Sequence, residues 1–122
     1  MTHPIVFVVD DDESVRRALS RLMRSVGFEV RVFASAKDFL DQACQNISGC
    51  LILDVRMPHM DGLELQEKLR TCGYKIPVIF ITAHDDVDAR KQAMKAGAVA
   101  FIQKPFDDQV LLEAINSGLG LS

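Results

Sequence analysis

The feature that most limits what this chain can fold into is a repeated alternation. Five short apolar runs rich in Val, Ile and Phe are each followed by a segment of helical period. Strands pointing the same way need a crossover, and a helix is the usual one, so this rhythm builds a parallel sheet with helices on its faces. Residues 4–9 read as the first strand, after which Val15, Ala18, Leu19, Leu22, Met23 and Val26 fall on one helical face that Gly27 stops. Residues 28–33 form the second strand, and Ser35 with Asp38 three places on predicts a capping box for a helix through Phe39, Leu40 and Ala43. Residues 50–53 are the third strand. A loop over 57–62 leads into a helix ending near Arg70, and Pro77 introduces a fourth strand over 78–81. Asp85 and Asp86 suit the positive end of a fourth helix that Gly97 closes. A fifth strand over 99–103 and a helix over 107–117 complete the series.

Strand character also orders the sheet, because central parallel strands are continuously apolar while edge strands alternate. Strands one, three and four are continuous. Strand two interleaves Phe28, Val30 and Val32 with Glu29 and Arg31, and strand five is short with polar residues at its end, so both belong at edges. The predicted order is 2-1-3-4-5, a doubly wound α/β sheet with five helices and a ligand crevice at the carboxyl ends of strands one and three. A chain of 122 residues fills one such domain, expected over residues 1–118. Residues 119–122 would be a tail, possible start of a linker to an output domain.

Each strand expected in the middle of the sheet ends in a residue suited to phosphate or a hard cation: Asp10 and Asp11 after the first, Asp54 after the third, Thr82 after the fourth. Lys104 follows the fifth. In a parallel sheet these ends share one rim. Carboxylates crowded there repel each other and raise one another's pKa unless a cation joins them. An oxygen-only donor set without His or Cys selects a hard ion, and Mg²⁺ leads over Ca²⁺ or Zn²⁺ because it is held by a few carboxylates, water and phosphoryl oxygens. Aspartate is also a competent nucleophile for phosphoryl transfer, which needs mostly positioning and charge neutralisation.

These residues resemble the bacterial response-regulator receiver domain of two-component systems, with wording nearest the FixJ-type branch, and the resemblance covers essentially the whole chain. It is carried by Val8-Val9-Asp10-Asp11-Asp12-Glu13, by Leu53-Asp54-Val55-Arg56-Met57-Pro58 with Asp61-Gly62, by Ile81-Thr82-Ala83 and Gly97-Ala98, and by Phe101-Ile102-Gln103-Lys104-Pro105-Phe106. The resemblance implies a flavodoxin-like (CheY-like) fold. It implies that Asp54 accepts the phosphoryl group, that Asp11 and Asp54 bind Mg²⁺ directly, Asp10 through water and Arg56 through its backbone carbonyl. It further implies that Lys104 pairs with the phosphate ahead of a cis bond to Pro105. Thr82 and Phe101 would form a switch pair, and helix four, strand five and helix five a dimer surface. A sensor histidine kinase would be the donor. Arg56 and His84 flank the expected phosphoryl site and, as bulky groups, are expected to slow hydrolysis, which an unchanged loss rate in an Arg56→Ala, His84→Ala double variant would contradict.

Plainer readings stand beside these. Asp12 suits helix capping, Phe101 could pack as an edge-strand hydrophobe, and His59 and His84 lack partners at metal spacing. Cys44, Cys50 and Cys72 match neither a disulfide framework nor a zinc site and read as reduced thiols. The net charge of −3 supplies no overall cationic field for nucleic acid or anionic lipid, so DNA contact is expected only through a separate output domain. No membrane span or signal peptide is legible, and a cytoplasmic location is expected. Three rival functions are weighed. A phosphohydrolase working through an aspartyl-phosphate usually carries a second Asp two places after the nucleophile, where this chain has Arg56. A flavin module needs a glycine- and hydroxyl-rich loop after strand one, where this chain has three carboxylates. A degenerate receiver would lack part of the set that is complete here.

Overall fold

A computed structural model describes residues 4–43, 48–84 and 86–120. Five strands alternate with five helices: β1 (Ile5–Val9), α1 (Glu13–Ser25), β2 (Glu29–Phe33), α2 (Ala36–Ala43), β3 (Gly49–Asp54), α3 (Gly62–Thr71), β4 (Val78–Thr82), α4 (Val87–Lys95), β5 (Ala100–Gln103) and α5 (Asp108–Leu119). All pairings are parallel, in the order β2-β1-β3-β4-β5. This is the doubly wound sheet that the strand patterns predicted, and the CheY-like fold that the resemblance implied. β1, β3 and β4 are central, so both of their faces need apolar side chains, and those strands are buried almost throughout.

Side chains alternate across a strand, which gives the sheet two cores. Phe7, Val9, Leu51, Leu53, Val78 and Phe80 face α2, α3 and α4, meeting Phe39, Leu65, Leu69, Ala89 and Ala93. Val6, Val8, Cys50, Ile52, Ile79, Ile81 and Ile102 face α1 and α5, meeting Leu19, Met23, Leu111 and Ile115. Phe7, Phe33 and Phe39 pack edge-to-face or stacked, with centroids 5.4–6.5 Å apart, and anchor the first core. By the same alternation Asp10, Asp54 and Lys104 continue the rows on the α1/α5 face. Thr82 and Phe101 continue those on the α3/α4 face, Phe101 lying in register with Phe80.

Several boundaries differ from the sequence reading. Asp54 and Thr82 are the last residues of their strands rather than the first residues beyond them. α5 reaches Leu119 before Gly120 turns left-handed at φ 73°, two residues beyond the helix end expected at 117. On α1 the inward seam is Val15, Leu19, Leu22 and Met23, whereas Ala18 is exposed and Val26, at the C-cap, is 46% exposed. α1 packs along an edge-proximal part of the sheet, where a narrow stripe suffices. Ser35 Oγ accepts from Asp38 N at 3.1 Å, giving one half of the expected capping box. A complete box occurs instead at α3, where Asp61 accepts from Glu64 N at 2.8 Å and Glu64 accepts from Asp61 N at 3.0 Å. Asp86 caps α4 by accepting from Ala89 N at 3.0 Å. Asp85 and Cys44 lie outside the described residues. Cys50 is buried, which pushes its thiol up to about 12, and Cys72 is exposed. No described helix is long and apolar enough to cross a membrane.

Candidate functional site

The site is built where β1, β3, β4 and β5 end. Because neighbouring parallel strands are in register, with Val9 beside Leu53 and Asp54 beside Ile81, the residues that close each strand come to one rim. One carboxylate oxygen from each of Asp10, Asp11 and Asp54 lies within 4.8 Å of the other two. Asp10 and Asp54 are buried, while Asp11 is exposed at the mouth. Lys104 is set by its backbone N–H, which donates to Thr82 O at 2.7 Å, and its Nζ lies 3.5 Å from Asp10 Oδ2. The Lys104–Pro105 bond is cis.

The electrostatics of this pocket set its carboxylates against one another. Asp10 Oδ1 accepts from Asp12 N at 2.9 Å, but Oδ2 is buried and has no hydrogen-bond partner, and Lys104 approaches it only at ion-pair range. Burial holds the Asp10 carboxyl above its ordinary range, partly offset by Asp12 N–H and Lys104. Burial, and then the neighbouring Asp10 charge, push Asp54 from 3.8 to about 6. A buried carboxylate oxygen without a donor is costly in a packed protein. The orphaned Asp10 Oδ2 beside two further carboxylates is therefore a set that a hard divalent cation fits, since such an ion takes oxygen ligands. Asp12, by contrast, caps α1: its Oδ1 accepts from Ser14 N at 2.9 Å and Ser14 Oγ at 2.7 Å, which holds its carboxyl below the usual range.

Arg56 N donates to Asp54 Oδ1 at 3.4 Å, and the Arg56 guanidinium lies 3.6 Å from Asp86 Oδ2. Thr82 is 1% exposed, and its Oγ1 accepts from His84 N at 3.2 Å. The His84 side chain is exposed beside it. Phe101 is half-buried against the Phe80 ring, at 5.9 Å between centroids.

Gly62 has a role that the sequence reading passed over. Its N–H donates to Val55 O at 2.8 Å, and a Cβ at this position would collide with the Asp54 carbonyl and press on the Phe80 ring. The residue lets α3 start directly against the end of β3. Substituting Gly62→Ala is expected to destabilise the fold by about 1–3 kcal/mol through overpacking, read as a lower denaturant midpoint. In sequence it is an Asp-Gly pair at the helix start, which by itself commonly means no more than a turn, and it entered the resemblance without a role of its own. Gly49, at φ 140° beside the Ile5 backbone, carries the same lesson at the other end of β3.

A doubly wound sheet with three aspartates and a lysine gathered at its switch point defines a class: a receiver module able to hold a divalent cation beside a buried carboxylate. The family profile described as "Response regulator receiver domain" matches residues 6–116, and the chain belongs to that family. The response regulator TmoT of Ectopseudomonas mendocina is 49% identical over 118 residues, which is 97% of this chain and 54% of that protein. The transcriptional regulatory protein FixJ of Rhizobium meliloti is 47% identical over 115 residues, 94% of this chain and 56% of FixJ. Among solved structures, response regulator StyR superposes with a TM-score of 0.92 at 53% identity, covering 98% of this chain and 61% of that one. FixJ-N superposes at 0.91 and 44%, covering 98% and 96%. The chain thus lies in the FixJ branch of receivers, and it spans about half the length of the curated relatives it matches.

Proposed function

We propose that this receiver accepts a phosphoryl group on Asp54 from a phosphohistidine of a sensor kinase, and that the modified chain dimerises to control an attached output. The observation that carries the proposal is the convergence of the Asp10, Asp11 and Asp54 carboxylates within 4.8 Å, with Lys104 3.5 Å from Asp10. In the transfer, a carboxylate oxygen of Asp54 attacks phosphorus, the P–N bond to the histidine breaks, and the imidazole leaves with that electron pair and takes up a proton. Asp10, Asp11 and Asp54, with the Arg56 backbone carbonyl, would hold Mg²⁺. When bound, that ion neutralises the charge of the transferring oxygens. Lys104 would pair with a phosphoryl oxygen, exchanging its long approach to Asp10 for a charge-assisted hydrogen bond. Arg56 N–H already addresses Asp54 Oδ1 and holds the carboxylate in position.

Readout would begin at Thr82, whose hydroxyl is drawn to the new anion, and pass to Phe101, which shares its face of the sheet. Carrying a population from 1:99 to 99:1 requires about 5.5 kcal/mol of differential interaction, a load that one charge-assisted bond from Lys104 and one from Thr82 could largely carry. The changed surface would be α4, β5 and α5, and the partner a second copy. The part of the relatives that this chain does not span would supply the output domain, joined by a linker beginning near the end of α5, and contact with DNA would be made there. A histidine-kinase donor places the reaction in the cytoplasm. The reaction is self-modification, so p-nitrophenyl phosphate with Mg²⁺ should show no useful turnover. The decisive measurement is sedimentation with and without beryllofluoride and Mg²⁺. A doubled mass is expected only with both present, and an unchanged mass would count against the proposed switch.

A further inference from the structure

We propose that Arg90 is a positioning residue that holds the Phe101 ring in its resting place and so sets the threshold of the switch; this rests on the reading of Phe101 given above. The guanidinium carbon of Arg90 lies 5.5 Å from the Phe101 ring centroid, and on the inner side the Phe80 ring sits 5.9 Å away at 36°. Phe101 thus touches both a buried core ring beside it and an exposed cation over its face. Among the described residues Arg90 has no carboxylate at ion-pair distance, so the ring is the group that orients it. α4 otherwise has a light grip on the sheet. Its buried side chains are Ala89 and Ala93, and one buried polar link, Gln66 Nε2 donating to Ala93 O at 3.1 Å, ties it to α3. The buried side chains of α4 are small, and the arginine one place after Ala89 lies over the Phe101 ring.

The arrangement coexists with Thr82 Oγ1 bonded to His84 N–H. When the hydroxyl leaves for the phosphoryl group, the ring can move into the space beside it, but only by giving up the face that Arg90 covers. An exposed cation on an aromatic face shifts the balance between two ring positions about two- to fivefold. Arg90 therefore acts as a brake on activation, applied at the ring itself and distinct from the dimer contact.

The test follows the ring directly. With 4-fluorophenylalanine placed at position 101, ¹⁹F spectra are recorded through a beryllofluoride titration with Mg²⁺, at a dilution where the chain stays monomeric. Arg90→Met, which keeps the stem and removes the cation, is expected to lower the midpoint about two- to fivefold, with Arg90→Lys falling between it and the parent. In a Phe101→Leu background, followed by sedimentation, Arg90→Met should no longer shift the midpoint. If beryllofluoride moves the resonance but Arg90→Met leaves the midpoint in place, the brake is overturned and the switch reading survives. If beryllofluoride never moves the resonance, the switch reading fails and the brake with it. An equal effect of Arg90→Met in both Phe101 backgrounds would assign the residue to the dimer contact and overturn the proposal.

Discussion

With Asp54 replaced by Asn, covalent phosphoryl incorporation from acetyl phosphate and Mg²⁺ is expected to fall below detection. The amide keeps the shape of the side chain and can still accept from Arg56 N–H, so the fold and the loop should survive, but it offers no nucleophilic oxyanion. Asp10→Asn and Asp11→Asn are the informative companions. Each keeps the nucleophile and removes one carboxylate from the group of three, so incorporation should slow by about 10- to 100-fold, as is usual when the support of a metal site is weakened. Phosphate-affinity gels report all three. Acid-stable incorporation, or undiminished acid-labile incorporation in Asp54→Asn, would locate the acceptor elsewhere.

The second large effect concerns stability. Because Asp54 titrates at about 6 in the fold and 3.8 when exposed, the folded chain holds that proton more tightly than the unfolded chain does. Its contribution to stability is complete below 3.8, declines as pH rises, and is lost above 6; the gap corresponds to the order of 3 kcal/mol. Asp10 is raised as well and acts in the same direction. In chelator at pH 7.5, Asp54→Asn should therefore raise Tm, by about 10–12 °C for a chain of this size. At pH 4 the difference between variant and parent should shrink towards zero. Mg²⁺ at pH 7.5 should raise the Tm of the parent and do less for the variant. A lower Tm for Asp54→Asn at pH 7.5 in chelator would show that the buried charges are not in opposition.

The sheet order was legible because burial on both faces leaves a mark that a chain cannot hide. β1, β3 and β4 are apolar without interruption, while Glu29 and Arg31 interrupt β2. The rim was legible for a related reason: Asp10, Asp54 and Thr82 end apolar runs abruptly, and parallel register brings such ends together. What escaped was anything that depends on close approach. Gly62 reads as a turn residue until the Asp54 carbonyl and Phe80 ring are seen against it. Ala18 and Val26 match the helical period of α1 but not the narrow seam the sheet offers. The Asp61–Glu64 box was overlooked in favour of Ser35–Asp38 because both have the spacing, and only backbone geometry separates them. Arg56, expected to flank the phosphoryl site, also reaches Asp86 at 3.6 Å, a partner whose proximity no local pattern announces.

The alternation of side chains across the strands assigns different work to the sheet's two sides. The acid–base and metal-competent groups continue one side, and the hydroxyl and aromatic ring continue the other, so the backbone layer between them is a bulkhead that the signal has to round at the strand ends. Surface residues of the α4 flank could accordingly be exchanged to recognise new partners while the chemical compartment stays untouched, which would let one phosphate reservoir serve many differently shaped outlets.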